Sequence, residues 1–218
     1  NSTPTSDNKT MNWSSAFIGV TAPLLIDNID TDQIIPSREM KTISKKGLKK
    51  GLFANWQYVY AKRKKIGLNK DFILNKKEFS HSSILLSGKN FGCGSSREHA
   101  VWALIDFGIK VVIAESFGRI FKNNCARNGL LTIELTRMQI EYINKLIKKS
   151  TNNNLIEIHL RRKMVITSDN KKFAFNIDPF VMGILLKGQD FIENTLLKEK
   201  VIDSFLKKDK IKRSWAHL

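Results

Sequence analysis

The sequence predicts an α/β protein with a parallel βαβ core and additional short antiparallel strands. The core is indicated by "SSILLSG" (82–88), a continuous apolar run that ends at a glycine, and by "REHAVWALID" (97–106), which has apolar residues at helical spacing. Gly108 ends this helix, and "KVVIAES" (110–116) follows as a second buried strand, so strand, helix and strand form one crossover between parallel neighbours. Strand-like runs beyond residue 150 predict the antiparallel part.

The residues before this core predict strands and turns rather than a helix. The segment "AFIGVTAPLLIDNIDTDQIIP" (16–36) contains short apolar runs broken by Pro23, and its polar part, residues 27–33, is expected to be a loop. From residue 37 to residue 77 the sequence loses its periodicity and is rich in lysine. We expect this segment to be a long excursion over the surface, held in place by aromatic side chains within residues 52–60.

The α/β alternation is expected to continue after the core. Residues 117–128 predict a helix, "LLTIEL" a strand, and residues 136–149 a helix that opens with a capping box of Thr136 and Gln139. The antiparallel strands are "LIEIHL", "MVITS" and "FAFNI", joined by short polar turns. A basic helix over about residues 195–208 is expected to close the chain.

The composition is that of an ordinary globular protein. Of the 218 residues, 42% are hydrophobic and 26% are charged, and no apolar run approaches the ~18 residues that a membrane helix needs. The polar start lacks the apolar stretch of a signal peptide, so we expect a cytoplasmic protein with a flexible lead-in over residues 1–15 and one domain over residues 16–218. Cys93 and Cys125 offer neither a disulfide framework nor paired metal ligands, which fits a reducing compartment.

The chain is strongly basic, with 37 Lys and Arg against 20 Asp and Glu and a net charge of +17. Such a charge can favour nucleic acid, an anionic membrane surface or small acidic substrates. The basic clusters are scattered from one end of the chain to the other, which favours solvated faces. The sequence also lacks an RNP1 pattern, a zinc knuckle and interleaved aromatic and basic residues, so a nucleic-acid-binding module is a distant alternative.

The segment "NFGCGSSREHA" (90–100), between the first core strand and its helix, is the strongest candidate for a functional site. Its two glycines suit a tight turn with positive φ, and Cys93 between them is expected to be a small buried spacer. Ser95, followed three residues later by Glu98, predicts a capping box at the helix start. Backbone amides, the helix dipole and the Arg97 guanidinium would meet beyond the end of a parallel strand, where a small anion such as a carboxylate can bind.

Other common site types do not fit this loop. A P-loop needs lysine after its last glycine, where Ser95 stands, and a dinucleotide fingerprint needs glycine where Arg97 stands. The elbow of a serine hydrolase needs glycine two residues after its serine, and that position is also Arg97. The four histidines show no zinc-binding spacing with one another or with carboxylates, so no metal site is expected in this chain.

The segment "NFGCGSSREHAVWAL" resembles the signature of the small subunits of isopropylmalate isomerase, the 3-isopropylmalate dehydratase family of leucine biosynthesis. Three further segments agree in order and spacing, namely "NIDTDQIIP" (28–36), "KVVIAESFGRIFKNN" and "NGLLTIEL". The resemblance runs from about residue 16 to residue 200. The family often has proline where this chain has Val101, and its late "NGLDxIGLTL" stands here as "KGQDFIENTL" (187–196).

This resemblance implies the three-layer β/β/α swivel domain of the aconitase type. Enzymes of the class use a [4Fe–4S] cluster, held by three thiolates, whose open iron binds the substrate as a Lewis acid. This chain has two cysteines and cannot supply that ligand set by itself. The resemblance therefore implies a large subunit that carries the cluster, in a heterodimer or heterotetramer, and a hydro-lyase that isomerises 2-isopropylmalate and 3-isopropylmalate only as this complex.

The resemblance also implies roles for individual residues. Ser95 would be the base that removes the proton next to a carboxylate, while Ser96 and Arg97 would hold a substrate carboxylate. A serine hydroxyl is a poor base at neutral pH, so this role requires helix-terminal amides and a nearby cation that favour the alkoxide. Asp32 matches an active-site acid of the family. Arg38, within the segment 37–47 that directly follows "IIP", is a candidate for a second anion contact.

The resemblance leaves the exact substrate open. The nearest alternative keeps the chemistry and changes the hydroxy diacid, as in the small subunits of homoaconitase or of a citraconate or methylmalate hydratase. The loop over residues 37–47, which in this family is thought to read the variable part of the substrate, would distinguish these enzymes. A degenerate scaffold without activity is disfavoured because Asp32, Ser95, Ser96 and Arg97 are all present.

Overall fold

The computed structural model describes Trp13 and residues 16–40, 45–62, 64–95 and 97–186. The strands are β1 (Phe17–Leu24), β2 (Tyr58–Ala61), β3 (Lys64–Leu68), β4 (Ile84–Ser87), β5 (Val111–Ala114), β6 (Leu131–Glu134), β7 (Leu155–His159), β8 (Met164–Ile166) and β9 (Lys172–Ala174). The helices are α1 (Thr31–Ile34), α2 (Ala54–Gln57), α3 (Glu98–Phe107), α4 (Arg119–Arg127) and α5 (Arg137–Lys149), with 3-10 turns at Ser37–Glu39, Leu48–Lys50, Ile73–Asn75, Lys77–Phe79 and Thr151–Asn154. Residues 179–186 are also helical.

Seven strands form one mixed sheet in the order β6-β5-β4-β1-β7-β8-β9. Strands β6, β5, β4 and β1 run parallel, and β1 also pairs antiparallel with β7, which begins the meander of β7, β8 and β9. The predicted crossover and the predicted meander are both confirmed. Strand β1 therefore joins a parallel half of the sheet to an antiparallel half.

The core lies around the parallel strands. Every residue of β4 and β5 is buried, as expected for continuous apolar strands covered on both faces. Helix α3 ends at Gly108, as the sequence predicted. The φ of Gly108 is 118°, a conformation that glycine adopts readily because it has no Cβ. Helix α5 begins with the predicted capping box, in which the Thr136 hydroxyl accepts from the Gln139 amide and the Gln139 side chain accepts from the Thr136 amide.

The expectation that Pro23 breaks the first apolar segment is wrong. Strand β1 runs through Pro23, which lies opposite Leu86 of β4. On its other side β1 pairs with β7 only over residues 17–20. The ladder to β7 thus ends before the residue that has no N–H to donate, which is where a proline is tolerated in a strand.

The polar stretch over residues 27–33 is not entirely a loop. It contains the single helical turn α1, capped by Asp30. The Asp30 carboxylate accepts from the Gln33 amide over 2.7 Å, and the Gln33 side chain accepts from the Asp30 amide over 2.9 Å. This reciprocal pair satisfies amides that a loop would leave to water, and it explains why a four-residue helix forms here.

The excursion over residues 37–77 is anchored by aromatic residues, as expected. Leu52 and Phe53 are buried, and the ring of Phe53 packs against those of Trp56 and Phe72 at centroid distances of 5.6 and 6.0 Å. The same segment contains the hairpin of β2 and β3, which the sequence did not predict. Every residue of β3 is exposed, so the alternation of apolar and polar residues that marks a half-buried strand is missing.

Within the part of the chain that the structure describes, no helix combines the length and the apolar character that a membrane span requires. Trp13 is buried, with its ring 5.7 Å from that of Phe17 at the start of β1. The closing basic helix predicted over about residues 195–208 lies outside the described residues.

Candidate functional site

The candidate site lies at the carboxyl ends of the adjacent central strands β1 and β4. The segment after β1 carries the Asp-Thr-Asp motif (30–32), and the segment after β4 carries the Gly-Ser-Ser-Arg motif (94–97). Because β1 and β4 are adjacent and parallel, both segments leave the sheet at the same edge, side by side. This is the edge at which open α/β sheets bind their ligands.

Backbone and hydroxyl hydrogen bonds hold the two segments together. The Gly92 amide donates to the Ile29 carbonyl over 2.7 Å, and the Thr31 amide donates to the Cys93 carbonyl over 3.2 Å. The hydroxyl of Thr31, a buried residue, donates to the Ser95 carbonyl over 3.0 Å. The pairing of β1 with β4 therefore continues beyond the strands, and Thr31 fixes the backbone position of Ser95.

On the other side, the loop after β4 packs closely against the loop after β5. The Phe91 amide donates to the Ser116 carbonyl over 3.0 Å, and the Gly118 amide donates to the Phe91 carbonyl over 2.9 Å. A Cβ at Gly118 would lie 2.4 Å from the Gly92 carbonyl oxygen. A Cβ at Gly92, whose φ is +73°, would lie 2.3 Å from the ring of Phe121. The close approach of these loops thus requires both glycines.

Ser37 links the two charged residues that the sequence singled out. Nη1 of Arg97 donates to the Ser37 hydroxyl over 3.0 Å, and that hydroxyl donates to Oδ1 of Asp32 over 3.4 Å. Asp30 is committed to its cap, whereas Asp32, Ser37 and Arg97 are all exposed. The carboxylate of Asp32 and the guanidinium of Arg97 consequently face the same open region, with Met40 Sδ 3.8 Å from Arg97 Nη1.

The capping box predicted at the start of α3 is wrong. Helix α3 begins at Glu98, and its N-cap is Arg97, whose side chain makes no capping hydrogen bond. The Glu98 carboxylate instead accepts from Nδ2 of Asn128 over 2.9 Å, and Oδ1 of Asn128 accepts from the Trp102 indole over 2.9 Å. Ser95 precedes the cap and is exposed, so its hydroxyl is open to a ligand.

Arg38, the predicted second anion contact, is engaged by its neighbour Glu39 and by β2. The Arg38 guanidinium donates to the Tyr60 hydroxyl over 2.9 Å, lies 5.1 Å from the centre of that ring, and approaches Glu39 at 3.5 Å. These contacts direct it toward β2, and its role as an anion contact stays a prediction. Ser96 lies outside the described residues.

A charged cluster braces the base of the two site loops. Asp27, just after β1, accepts from the Lys89 amide over 2.8 Å and from Nη1 of Arg137 over 3.1 Å. Arg137 also approaches Glu115 at 3.4 Å, which ties α5 to the ends of β1, β4 and β5. The Lys89 amide first, and then the Arg137 guanidinium, lower the pKa of Asp27 below its ordinary value.

The donor set of this chain does not fit an iron–sulfur cluster. Cys93 is half-buried rather than the buried spacer expected from the sequence, and burial raises the pKa of the fully buried Cys125 thiol well above its ordinary value. Across residues 16–40, 45–62, 64–95 and 97–186, no three His, Cys, Asp or Glu side chains form a group that could hold a metal ion. A cluster held by three thiolates would need more cysteines than the two in this sequence.

Sequence reasoning missed Thr31, Ser37 and Asn128 as residues that shape the site. Their partners in the site lie 64, 60 and 30 positions away along the chain, so no local pattern reveals these hydrogen bonds. The available signal is positional, because Thr31 stands between the two aspartates and Ser37 directly follows "IIP". The pairing of β1 with β4 brings Thr31 close to Ser95 and Ser37 close to Arg97.

A parallel sheet edge with a Gly-Ser-Ser-Arg loop beside an Asp-Thr-Asp turn is the arrangement expected of aconitase-type swivel domains. The family model described as the aconitase C-terminal domain matches residues 11–138 of this chain. The predicted fold class, an α/β swivel domain of the aconitase type, is thereby confirmed.

Similarity to individual proteins is closer still. The chain is 44% identical over 203 residues to the 3-isopropylmalate dehydratase small subunit of Cupriavidus necator, covering 91% of this chain and 95% of that protein. It is 50% identical over 192 residues to the small subunit of that name from Campylobacter jejuni subsp. doylei, covering 88% and 94%. The crystal structure of 3-isopropylmalate dehydratase from Methanocaldococcus jannaschii matches with a TM-score of 0.59 and 30% identity, covering 87% of this chain and 98% of that one. The chain belongs to the family of 3-isopropylmalate dehydratase small subunits, as its sequence motifs predicted.

Proposed function

We propose that this chain is the small subunit of a 3-isopropylmalate dehydratase and acts with a large subunit to interconvert 2-isopropylmalate and 3-isopropylmalate. The observation that carries the proposal is the site itself. Ser95 is exposed and held by Thr31, next to the Arg97–Ser37–Asp32 chain of hydrogen bonds, in a chain whose relatives share 44–50% identity over about 90% of its length. A hydro-lyase acting on a hydroxy diacid needs a base and a carboxylate-binding cation in such proximity.

In this proposal Arg97 and Ser96 bind a carboxylate of the substrate, and Ser95 is the base. A guanidinium is permanently charged and matches a carboxylate with two parallel hydrogen bonds, which an ammonium cannot do. Arg97 keeps this capacity because Ser37 and Met40 contact only its Nη1. The positive charge of Arg97, two residues after Ser95, also favours the alkoxide of Ser95 over its hydroxyl. A serine base requires this shift toward the alkoxide.

The reaction balances as a dehydration followed by a hydration. The C–H bond next to a carboxylate breaks, its electron pair forms the carbon–carbon double bond, and the proton moves to Ser95 Oγ. The hydroxyl of the neighbouring carbon leaves as hydroxide and is protonated to water by the proton that Ser95 Oγ took up, which restores the alkoxide. Water then adds to the alkene in the opposite sense, so that the hydroxyl goes to the carbon that lost the proton and the proton goes to the carbon that lost the hydroxyl. The product is the isomer. We assign Asp32, exposed and 3.4 Å from the Ser37 hydroxyl, to orienting or relaying protons.

The partner in this proposal is a large subunit that carries a [4Fe–4S] cluster, in a heterodimer or heterotetramer. It is supported by the donor set of this chain, whose two cysteines are too few for the cluster. When bound, such a cluster supplies a Lewis acid for the leaving hydroxyl. A cytoplasmic location belongs to the same proposal and is supported by the two free thiols.

The test is anaerobic reconstitution of the full chain with a cluster-loaded large subunit, followed by alkene absorbance from 3-isopropylmalate. We expect activity from the mixture, none from either subunit alone, and a loss of at least about a hundredfold in Ser95→Ala. The matched control is Ser80→Ala, a half-buried serine outside the site, whose hydroxyl donates to the Lys77 carbonyl. Turnover of homocitrate or methylmalate alone would overturn the substrate assignment, and an equally active Ser95→Ala would overturn the base.

A further inference from the structure

The carboxylate of Glu98 belongs to the residue next to the guanidinium that we propose binds the substrate. Glu98 directly follows Arg97, and both residues are exposed. Arg97 is the N-cap of α3 with φ −111° and ψ 138°, an extended conformation, so the rule that adjacent side chains of a helix point apart does not govern this pair. In another adjacent pair of this chain, Nε of Arg38 and Oε1 of Glu39 are 3.5 Å apart. Glu98 is therefore close enough along the chain to compete with a substrate carboxylate for Arg97.

The structure shows no such pairing. No carboxylate of the described residues forms an ion pair with Arg97, whose Nη1 contacts Ser37 and Met40. The Glu98 carboxylate instead accepts from Nδ2 of Asn128, at the end of α4, over 2.9 Å. Because Glu98 is exposed, burial does not fix its side chain, and the hydrogen bond to Asn128 decides where its charge lies.

The side chain of Asn128 is itself held in one orientation. Its Nδ2 donates to the Glu98 carboxylate and to the Asn124 carbonyl, both over 2.9 Å. Its Oδ1 accepts from the Trp102 indole over 2.9 Å and from Nζ of Lys45 over 3.4 Å. The first two partners only accept and the last two only donate, so a flipped amide would lose all of these bonds. Glu98 is consequently held by a fixed partner.

We propose that Asn128 is a positioning residue, which holds Glu98 and thereby prevents an internal ion pair between Glu98 and Arg97. The guanidinium stays open for the substrate carboxylate. This inference rests on the proposed function, in which Arg97 binds that carboxylate. It deepens the proposed function by adding a residue that controls access to the anion site without touching the substrate.

The test compares Asn128→Ala with Asn128→Ala/Glu98→Ala in the reconstituted enzyme, using steady-state kinetics with 3-isopropylmalate. In the single variant the released Glu98 pairs with Arg97, so KM is expected to rise about fivefold while kcat stays within about twofold, because the competition weakens substrate binding and not the chemical step. In the double variant the competitor is gone although the hydrogen bond is not restored, so KM is expected to return to within about twofold of the wild type. A variant that had merely loosened α3 would not be repaired by removing a second side chain.

Two controls accompany this comparison. Glu98→Ala alone is expected to leave KM within about twofold of the wild type, because the carboxylate that it removes is already held aside. Asn153→Ala removes another half-buried asparagine, whose Nδ2 donates to the Leu146 carbonyl over 3.0 Å, and is expected to leave KM unchanged. If thermal melting shows that Asn128→Ala does not fold, Asn128→Asp takes its place, since it keeps an accepting oxygen and loses the donor to Glu98.

A second measurement tests the geometry without turnover. The crystal structure of the isolated Asn128→Ala chain is expected to show a Glu98 carboxylate oxygen within about 4 Å of a guanidinium nitrogen of Arg97. A Glu98 side chain directed elsewhere in that structure would overturn the inference.

The outcomes separate the inference from the proposed function. If the wild-type enzyme is active and Asn128→Ala keeps its KM, or is not rescued by Glu98→Ala, the role of Asn128 is wrong and the proposed function stands. If the wild-type chain and the large subunit give no activity, the proposed function fails. The crystal structure of the variant then decides whether Asn128 holds Glu98 away from Arg97.

Discussion

The guanidinium of Arg97 donates to the Ser37 hydroxyl over 3.0 Å, and this single hydroxyl separates the cation from Asp32. Ser37 thereby restrains the side chain that we propose binds the substrate carboxylate. Arginine has many rotamers, so a restraint of this kind lowers the entropy lost when the ligand binds.

Ser37→Ala is expected to lower kcat/KM about tenfold in the reconstituted enzyme, because Arg97 and Asp32 lose their common partner. Steady-state kinetics with 3-isopropylmalate measures the effect, and Ser80→Ala serves as the matched control. A value of kcat/KM equal to that of the wild type would show that the hydrogen bond does not position Arg97.

Thr31→Val is expected to destabilise the protein by about 1 kcal/mol and to reduce activity, because the Ser95 carbonyl loses its partner. Thr31→Ser keeps the hydroxyl and should retain most of both. The free energy of unfolding is measured in urea, and the kinetics in the reconstituted enzyme. Equal activity of the valine and serine variants would contradict a role for Thr31 in placing Ser95.

Gly92→Ala and Gly129→Ala form a matched pair. Both glycines have positive φ, +73° and +77°, but a Cβ at Gly129 meets nothing within 4 Å, whereas a Cβ at Gly92 meets the ring of Phe121 at 2.3 Å. We expect a cost of about 1 kcal/mol at Gly129 from strain alone, and at least about 2 kcal/mol more at Gly92 from overpacking. The free energy of unfolding of the two variants is measured in urea. An equal loss of stability in both would mean that the ring of Phe121 moves aside freely.

The stabilising contribution of Asp27 is expected to depend on pH. Its pKa is lowered in the folded protein, so its contribution is complete above the ordinary pKa of an aspartate, about 3.9, and is lost as the pH falls through the lower folded value. Asp27→Asn should therefore reduce stability at neutral pH and flatten its decline below about pH 4. Thermal melting across this range tests the expectation, with Asp71→Asn, on an exposed turn, as the control.

The two thiols are expected to react at different rates. Cys93 is half-buried in the site loop, whereas Cys125 is fully buried and burial raises its pKa, which suppresses the reactive thiolate. Titration of the native chain with a thiol reagent should show one fast equivalent, and Cys93→Ser should remove it. Two fast equivalents in the native chain would mean that helix α4 opens readily.

The parts of the fold that the sequence predicted are those governed by local patterns. The run from β4 to α5 alternates apolar strands with helices that carry their own stop and start signals, such as Gly108 and Thr136. The β2–β3 hairpin escaped prediction because both of its strands are short and its second strand has no buried face. The capping box at Ser95 was wrong because α3 begins at Glu98, so Ser95 precedes the N-cap, and the Glu98 carboxylate accepts from Asn128 at the end of α4.

The sequence predicted which residues belong to the site, but it did not predict the hydrogen bonds that connect them. Parallel strands bring the residues after β1 and β4 to one edge, so the proximity of Asp32 to Ser95 and Arg97 follows from the topology. The hydrogen bonds of the Thr31 and Ser37 hydroxyls, in contrast, join segments that are distant along the chain. Such contacts are decided by packing, which no spacing in the sequence records.

Strand β1 joins the two halves of the sheet, and its two partners come from very different distances along the chain. The segment from β4 to β6 can pair through neighbouring crossovers, whereas Phe17 of β1 must meet Ile158 of β7, from the opposite end of the described chain. Closing so long a loop is entropically costly and slows folding. The seam between β1 and β7 is therefore expected to close last, so a newly made chain can bring its Asp-Thr-Asp turn beside its Gly-Ser-Ser-Arg loop, through the β1–β4 pairing, before the meander joins the sheet.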